Sequence, residues 1–240
     1  MKMTKPKAIM NWSGGKDSAL ALHAVMQSGN YEVVGLLTTV NEAYGRITMH
    51  NVRAELLYQQ AAAIGLPLHK IHVPEQVNMV MYDAIMRQQL KALIAKGVTH
   101  AIFGDIFLED LKAYREKRLA ELNLSGVFPL WQQDTTELAQ NFVAQGFRAV
   151  TVCVSEKQLD RSFVGRELDA DFFASLPANV DPCGENGEYH SFVYDGPLFA
   201  HPIPLEPGEI VRRTWGEENE LYDTGFWYAD YLPTQKEIAR

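Results

Sequence analysis

Three features of the sequence predict an α/β protein with a Rossmann-like parallel sheet, helices on both faces, and a smaller α+β part toward the C-terminus. Short apolar, β-branched runs alternate with helical stretches through the first half, and repeated β–α units impose right-handed crossovers and a parallel sheet. A Gly-Gly turn joins the first such run to the first helical stretch, at the edge where open sheets of this kind bind ligands. The second half changes texture. Six of the eleven prolines crowd between Pro177 and Pro207, which excludes continuous helix there. We expect a first domain over residues 1–130 and a second over 131–240, with a soft boundary near 125–135.

KAIMNW (7–12) has the composition of a buried strand. Residues 16–28 favour helix, and Gly29-Asn30 ends it because glycine reaches the left-handed conformation that closes a helix. EVVGLLTTV (32–40) is β-branched and apolar, as a strand buried on both faces should be. After the loop NEAYGRITMH, a helix is expected from about 51 to 64 with Gly65-Leu66-Pro67 as its stop, and LHKIHV (68–73) reads as a third strand. In the next helix Val77, Val80, Met81, Ala84 and Ile85 follow the spacing of a core-facing stripe. VTHAIFGD supplies a fourth strand ending at Gly104-Asp105, followed by a polar helix over roughly 108–122 and a short GVFPLW segment. A helix at about 135–146, a strand at 148–154, and strand-like segments at 209–215 and 226–232 complete the pattern.

Composition narrows the classes of function. Hydrophobic residues make up 47% and charged residues 22% of 240, which excludes wholesale disorder. No apolar run reaches the length a membrane helix needs, and MKMTKPKAIM lacks the apolar stretch of a secretory signal, so the cytoplasm is the expected compartment. Net charge of −8 argues against a broad grip on nucleic acid, although local phosphate binding stays open. Cys153 and Cys183 are too few for a disulfide framework or a four-cysteine zinc site. Cys153, within VTVCV, reads as core; Cys183 has no partner at CxxC spacing.

The strongest motif is Ser13-Gly14-Gly15-Lys16-Asp17-Ser18, between an expected strand and an expected helix. Two glycines let the backbone approach an anion closely, and the following helix offers unpaired N–H groups and the positive end of its dipole. Ser13 and Ser18 add hydroxyls and Lys16 a cation, whereas Asp17 would repel phosphate directly and better suits Mg²⁺ or the locking of the loop. The spacing matches neither a Walker A loop nor a dinucleotide fingerprint. A solvated glycine turn capping a helix is the rival reading. Further on, Glu185 and Glu188 place two carboxylates in a glycine-rich loop, able to hold Mg²⁺ or take a proton from an attacking amine. Gly184 and Gly187 permit close approach to a ligand, and Tyr189 and His190 could bond a polar substrate.

SGGKDS resembles the PP-loop of the ATP pyrophosphatase superfamily, whose members split ATP to AMP and pyrophosphate on an adenine nucleotide alpha hydrolase-like fold. GDIFLEDLKAYREKRLAELNLSGVFPLW (104–131), LDRSFVGRELD (159–169), DPCGENGEYHSFVYDGPLF (181–199) and the TMHNV segment resemble the diphthine–ammonia ligase family, over residues 8 to about 200. The resemblance implies ATP on Ser13, Gly14, Gly15, Lys16, Asp17 and Ser18, with adenine near Leu37–Thr39 and hence at Thr38. It implies Lys16, Asp105, Glu185 and Glu188 as catalytic groups, and Mg²⁺ on Asp17 and Glu188. His50, Arg115, Gly184, Asn186, Gly187, Tyr189 and His190 would meet the substrate. Rival readings stay open: Asp105 as a helix cap, His50 as an ordinary helix-terminal histidine, and Arg115 with Arg118 as a solvated basic face balanced by Glu116 and Glu121.

The implied activity is an ATP-dependent ligase that adenylates a substrate carboxylate, releases pyrophosphate, and amidates the acyl-adenylate with ammonia. The carboxylate would be diphthine on elongation factor 2 or a small-molecule acid. No membrane partner is expected, nucleic acid is disfavoured, and a homodimer is compatible with the aromatic segment around Phe226, Trp227, Tyr228 and Tyr231, for which core packing is the other reading. A tRNA-modifying enzyme on the same loop and a non-catalytic ATP or AMP sensor are the alternatives.

Overall fold

The computed structural model describes residues 4–47, 51–74, 76–215 and 224–234. Its main sheet is built on β1 (Lys7–Asn11), flanked in parallel by β2 (Glu32–Asn41) and β5 (Val98–Ile102). β4 (Leu68–Val73) lies outside β2 and β6 (Ser125–Val127) outside β5, both parallel, while β3 (Arg46–Ile47) folds back antiparallel on the end of β2. The chain thus builds one side of β1 first and then crosses to the other. The switch of direction opens a cleft beyond the carboxyl end of β1.

The helices between these strands are α1 (Lys16–Ser28), α2 (Ala54–Ile64), α3 (Met79–Ile94) and α4 (Glu109–Ala120). Alternation along β1 sends Ala8 and Met10 into one apolar cluster and Ile9 into another, as the two-residue period of a strand requires. Ile9, Leu37, Ile71, Leu90, Leu93 and Phe103 form the cluster that also receives Tyr82 and Met86 of α3.

After α5 (Thr135–Ala144), β7 (Arg148–Ser155) enters a second sheet with β8 (Tyr189–Asp195), β9 (Leu205–Trp215) and β10 (Thr224–Pro233). Its order is β8-β7-β10-β9, all antiparallel. A five-residue helix, α6 (Ala170–Ala174), precedes β8 and is capped by the Asp169 side chain. Met10, Trp12, Leu22 and Leu57 of the first half share one cluster with Phe142, Val152, Phe172 and Phe192 of the second. Asp230 on β10 adds ion pairs to Arg46 at 2.9 Å and Arg53 at 2.6 Å.

The structure corrects several expectations. Val80 and Met81 of α3 are exposed, and Ala84 with them; Leu90 and Leu93 are the buried positions. Tyr82, Met86, Leu90 and Leu93 make a second stripe, two residues out of phase with Val80 and Ala84 and hence on roughly the opposite face at about 100° per residue. α2 starts at Ala54 instead of 51 because Asn51 is left-handed at φ 55° and Arg53 is an extended cap. β9 begins at Leu205, ahead of 209, and tolerates Pro207 as the edge strand of its sheet. Tyr228 and Tyr231 are buried, with Phe226 and Trp227 half-buried. Among the described residues no helix is long and apolar enough to cross a membrane.

Candidate active site

The glycine turn sits where the topology predicts, between the end of β1 and the start of α1. Gly14 is left-handed at φ 81° and Gly15 is the extended N-cap of α1. The Ser18 hydroxyl donates to the Gly15 carbonyl at 2.8 Å, and Ser13 Oγ donates to Ser18 Oγ at 3.2 Å. The Gly15 N–H reaches Ser13 Oγ at 3.3 Å, a long contact that a stronger acceptor would displace. Beside the turn, a cavity of about 300 Å³ is bounded by Ser13, Thr38, Tyr82, Phe103 and Arg115. That volume is at the lower end for small-molecule sites.

Gly104, at the end of β5, completes the turn's surroundings. A Cβ there would lie 2.8 Å from the Asp17 carbonyl carbon and 3.0 Å from the Ser18 nitrogen. No side chain can therefore enter without pushing β5 and α1 apart. Gly104→Ala is expected to lower stability by roughly 1–3 kcal/mol, to be read from denaturant unfolding.

Lys16 lies inside the protein, with 1% of its surface exposed. Its ammonium meets both Asp17 oxygens, at 2.7 and 2.9 Å, and donates to the Cys183 carbonyl. It also lies 5.4 Å from the centre of the Tyr189 ring. Burial is the largest influence and opposes the charge, but the neighbouring groups together, Asp17 foremost, hold the ammonium above the ordinary lysine range. The cation expected on the phosphate loop is therefore also the anchor of the 181–188 loop.

That loop folds around its own acids. Asp181 Oδ2 accepts from the Cys183 N–H at 3.1 Å and the Glu185 N–H at 2.9 Å. Glu188, 2% exposed, accepts from the Asp181 N–H, the Asn186 N–H and the Asn186 side chain at 3.0 to 3.1 Å. Glu188, expected as a metal ligand and catalytic group, thus braces the loop with both its oxygens. Of the residues expected to meet substrate, Asn186 is exposed and Tyr189 is buried. Asn186 donates to Glu188, and the buried Tyr189 hydroxyl donates to the Pro182 carbonyl at 2.5 Å.

Gly184, at φ 68°, faces the Tyr189 ring, which a Cβ would meet at 2.9 Å; Gly187, at φ 85°, faces open space. Glu188→Ala is expected to cost about 1–3 kcal/mol through donors left unpaired and to leave divalent-cation affinity unchanged, as thermal unfolding and cation titration would check.

Glu185 behaves differently from Glu188. Its Oε1 accepts from the Ile106 N–H at 2.8 Å, which holds it across the end of β5. Burial pushes its carboxyl up to about 7, and the nearby charges of Asp17 and Asp105 push the same way, against the Ile106 N–H and Lys16. Asp105, 8% exposed, pairs with Arg115 Nε at 2.7 Å. Even so, among the described residues its Oδ2 has no aligned hydrogen-bond donor. Burial raises this carboxyl too, with Arg115 opposing.

Arg115, expected at the substrate, lines the cavity with its guanidinium 4.5 Å from the centre of the Phe103 ring. Arg118 pairs with Asp83 at 2.5 Å and Glu121 at 3.1 Å. Burial and the Lys16 charge push His190 down to about 4, so its half-buried imidazole is neutral. The buried Cys183 thiol, raised to about 12 by burial, is unreactive packing. His50 lies outside the described residues.

Glycine turn, cavity and acidic loop thus converge beyond β1 and β5. Sequence reasoning omitted Gly104, Gln60 and Ser191 from this site. The signal for Gln60 was a polar residue on the apolar face of α2, four positions after Leu56.

Comparison with known proteins identifies the family. A family model described as diphthamide synthase N-terminal domain matches residues 6–125, and one described as diphthamide synthase C-terminal domain matches 134–225. Among curated relatives, the diphthine–ammonia ligase of Bos taurus is 30% identical, covering 84% of either chain. That of Homo sapiens is 25% identical over 83% of this chain and 82% of its own. That of Schizosaccharomyces pombe is 27% identical over 85% of this chain, which spans only 37% of that longer protein. With both family models matched in order across most of its length, the chain belongs to the diphthamide synthase family of ATP-dependent ligases.

Proposed function

We propose that this chain adenylates a carboxylate with ATP and converts the acyl-adenylate to an amide with ammonia, a reading supported by relatives named diphthine–ammonia ligase. One observation carries the reading: Glu185, with its carboxyl near 7, is held by Ile106 next to the glycine turn that opens α1. A phosphate-type turn alone suits any nucleotide site. A neighbouring base tuned to neutral pH suits the deprotonation of nitrogen.

The cavity at Thr38 and Phe103 takes the adenosine, and the turn of residues 13–18 takes the phosphates. A carboxylate oxygen attacks the α-phosphorus, and the bond to the bridging oxygen breaks to release pyrophosphate. The nitrogen lone pair of ammonia then adds to the acyl carbon. Glu185 takes a proton from that nitrogen, and the C–O bond to AMP breaks. Carboxylate oxygen leaves poorly and AMP leaves well, which is why ATP is split first. Lys16, the start of α1 and the Gly15 N–H supply the fixed positive field.

The donor set fits Mg²⁺. Among the described residues Asp105 Oδ2, though paired with Arg115, is buried without an aligned donor, and the Asp17 side chain, though paired with Lys16, is 29% exposed. Among the described residues no three acidic, His or Cys side chains gather as a ready-made metal site. Asp17 and Asp105 would thus hold the ion together with ATP oxygens, the usual manner for this cation, and it would offset phosphate charge when bound.

The substrate carboxylate is diphthine on elongation factor 2 or a small-molecule acid. Turnover of ATP with Mg²⁺ and ammonium, against a panel holding diphthine-bearing elongation factor 2 and small carboxylic acids, tests the reading. AMP, pyrophosphate and a product in which OH has become NH₂ are expected. ADP and phosphate would overturn it.

A further inference from the structure

Gln60 lies in the middle of α2, yet none of its surface is exposed. Its side chain is engaged at both ends. Oε1 accepts from Trp12 Nε1 at 2.8 Å, and Nε2 donates to the Gly14 carbonyl at 3.0 Å and the Val193 carbonyl at 2.6 Å. The Gly14 carbonyl also accepts from the Val193 N–H at 2.9 Å, so two donors hold it. One step on, the Lys16 N–H donates to Ser191 Oγ at 3.1 Å. The phosphate turn is thereby fastened to β8 of the other sheet.

The consequence follows from peptide geometry. The Gly14 carbonyl and the Gly15 N–H belong to one planar trans unit, in which they point in opposite directions. Holding the carbonyl against α2 and β8 directs the N–H the other way, toward Ser13 Oγ. Between two glycines, no Cβ resists rotation of that unit. A rotated unit would turn its carbonyl toward an anion and repel it. Closeness is part of the lock: a Cβ on Gly14 would lie 2.8 Å from Gln60 Oε1.

We infer that Gln60 is a positioning residue that locks the Gly14–Gly15 peptide in its anion-accepting orientation, with β8 as the other jaw. The inference rests on the phosphate-binding reading of the 13–18 turn. Its test has one arm that does not. Gln60→Met keeps the bulk of the side chain and removes its hydrogen bonds. Gln60→Glu keeps the shape and an acceptor for Trp12, but its buried carboxyl, held protonated between two carbonyls, offers at most one donor where the amide offers two.

In the full chain without nucleotide, amide exchange at residues 13–16 should rise roughly tenfold in either folded variant. ATP affinity, measured by calorimetry, should fall roughly tenfold to a hundredfold. Adenosine affinity should stay within about twofold, because the cavity is not touched. Unchanged exchange would overturn the lock, and so would equal losses for ATP and adenosine. If the wild-type chain binds no ATP while exchange still rises in the variants, the lock stands and the nucleotide reading falls.

Discussion

Glu185→Gln is expected to slow amide formation by roughly 10²- to 10⁴-fold, the usual contribution of a general base, while ATP affinity is retained. The amide keeps the shape of the side chain and an oxygen for the Ile106 N–H, so the loop stays in place. In the wild-type chain the rate should climb as pH rises through about 7, where the carboxyl ionises. That limb should vanish in the variant, as single-turnover kinetics across pH would record.

Stability should move the other way. A carboxyl raised in the folded state favours folding while protonated. That contribution is full below the ordinary value of 4.5 and lost as pH rises through about 7. Glu185→Gln should therefore raise the melting temperature at about pH 8 and change it little near pH 4, by an amount of the order of 1–3 kcal/mol. A profile that keeps its acidic limb in the variant would assign the base elsewhere.

Lys16→Met should produce the largest loss of stability, roughly 3–5 kcal/mol by the usual cost of removing one partner of a buried ion pair. Methionine fills the space, but Asp17 loses its cation and the Cys183 carbonyl loses a donor. Since the same ammonium anchors the 181–188 loop, ATP affinity and the positioning of Glu185 should suffer together. Denaturant unfolding and ATP titration would separate the two effects. If stability held while turnover vanished, Lys16 would act only on phosphate.

Much of this was legible from residue order alone. The β–α alternation placed β1, β2, β4 and β5 within a residue or three, because runs such as EVVGLLTTV favour one structure locally and globally. The shape of the glycine turn was legible too, since adjacent glycines between strand and helix suit a left-handed bend followed by an extended cap. The division of labour within GENGEYH was not. Glu185 and Glu188 are the same residue type three positions apart, and only the fold turns one across β5 and the other back into its loop. Local spacing likewise could not choose between two apolar stripes on α3. The choice depends on where the sheet lies, which is set by residues far away in the chain.

The fastening of Gly14 and Lys16 to β8 has a consequence for biogenesis. The contact between Lys16 and Ser191 spans 175 positions of sequence, so a ribosome must add all the intervening residues before the glycine turn can meet its support. Contacts so distant in sequence form slowly, and the nascent amino-terminal half carries an unsupported glycine turn in the meantime. Competence to hold a nucleotide is acquired late, together with the closing of the shared core. A chain truncated before β8 would lack the support that sets its glycine turn.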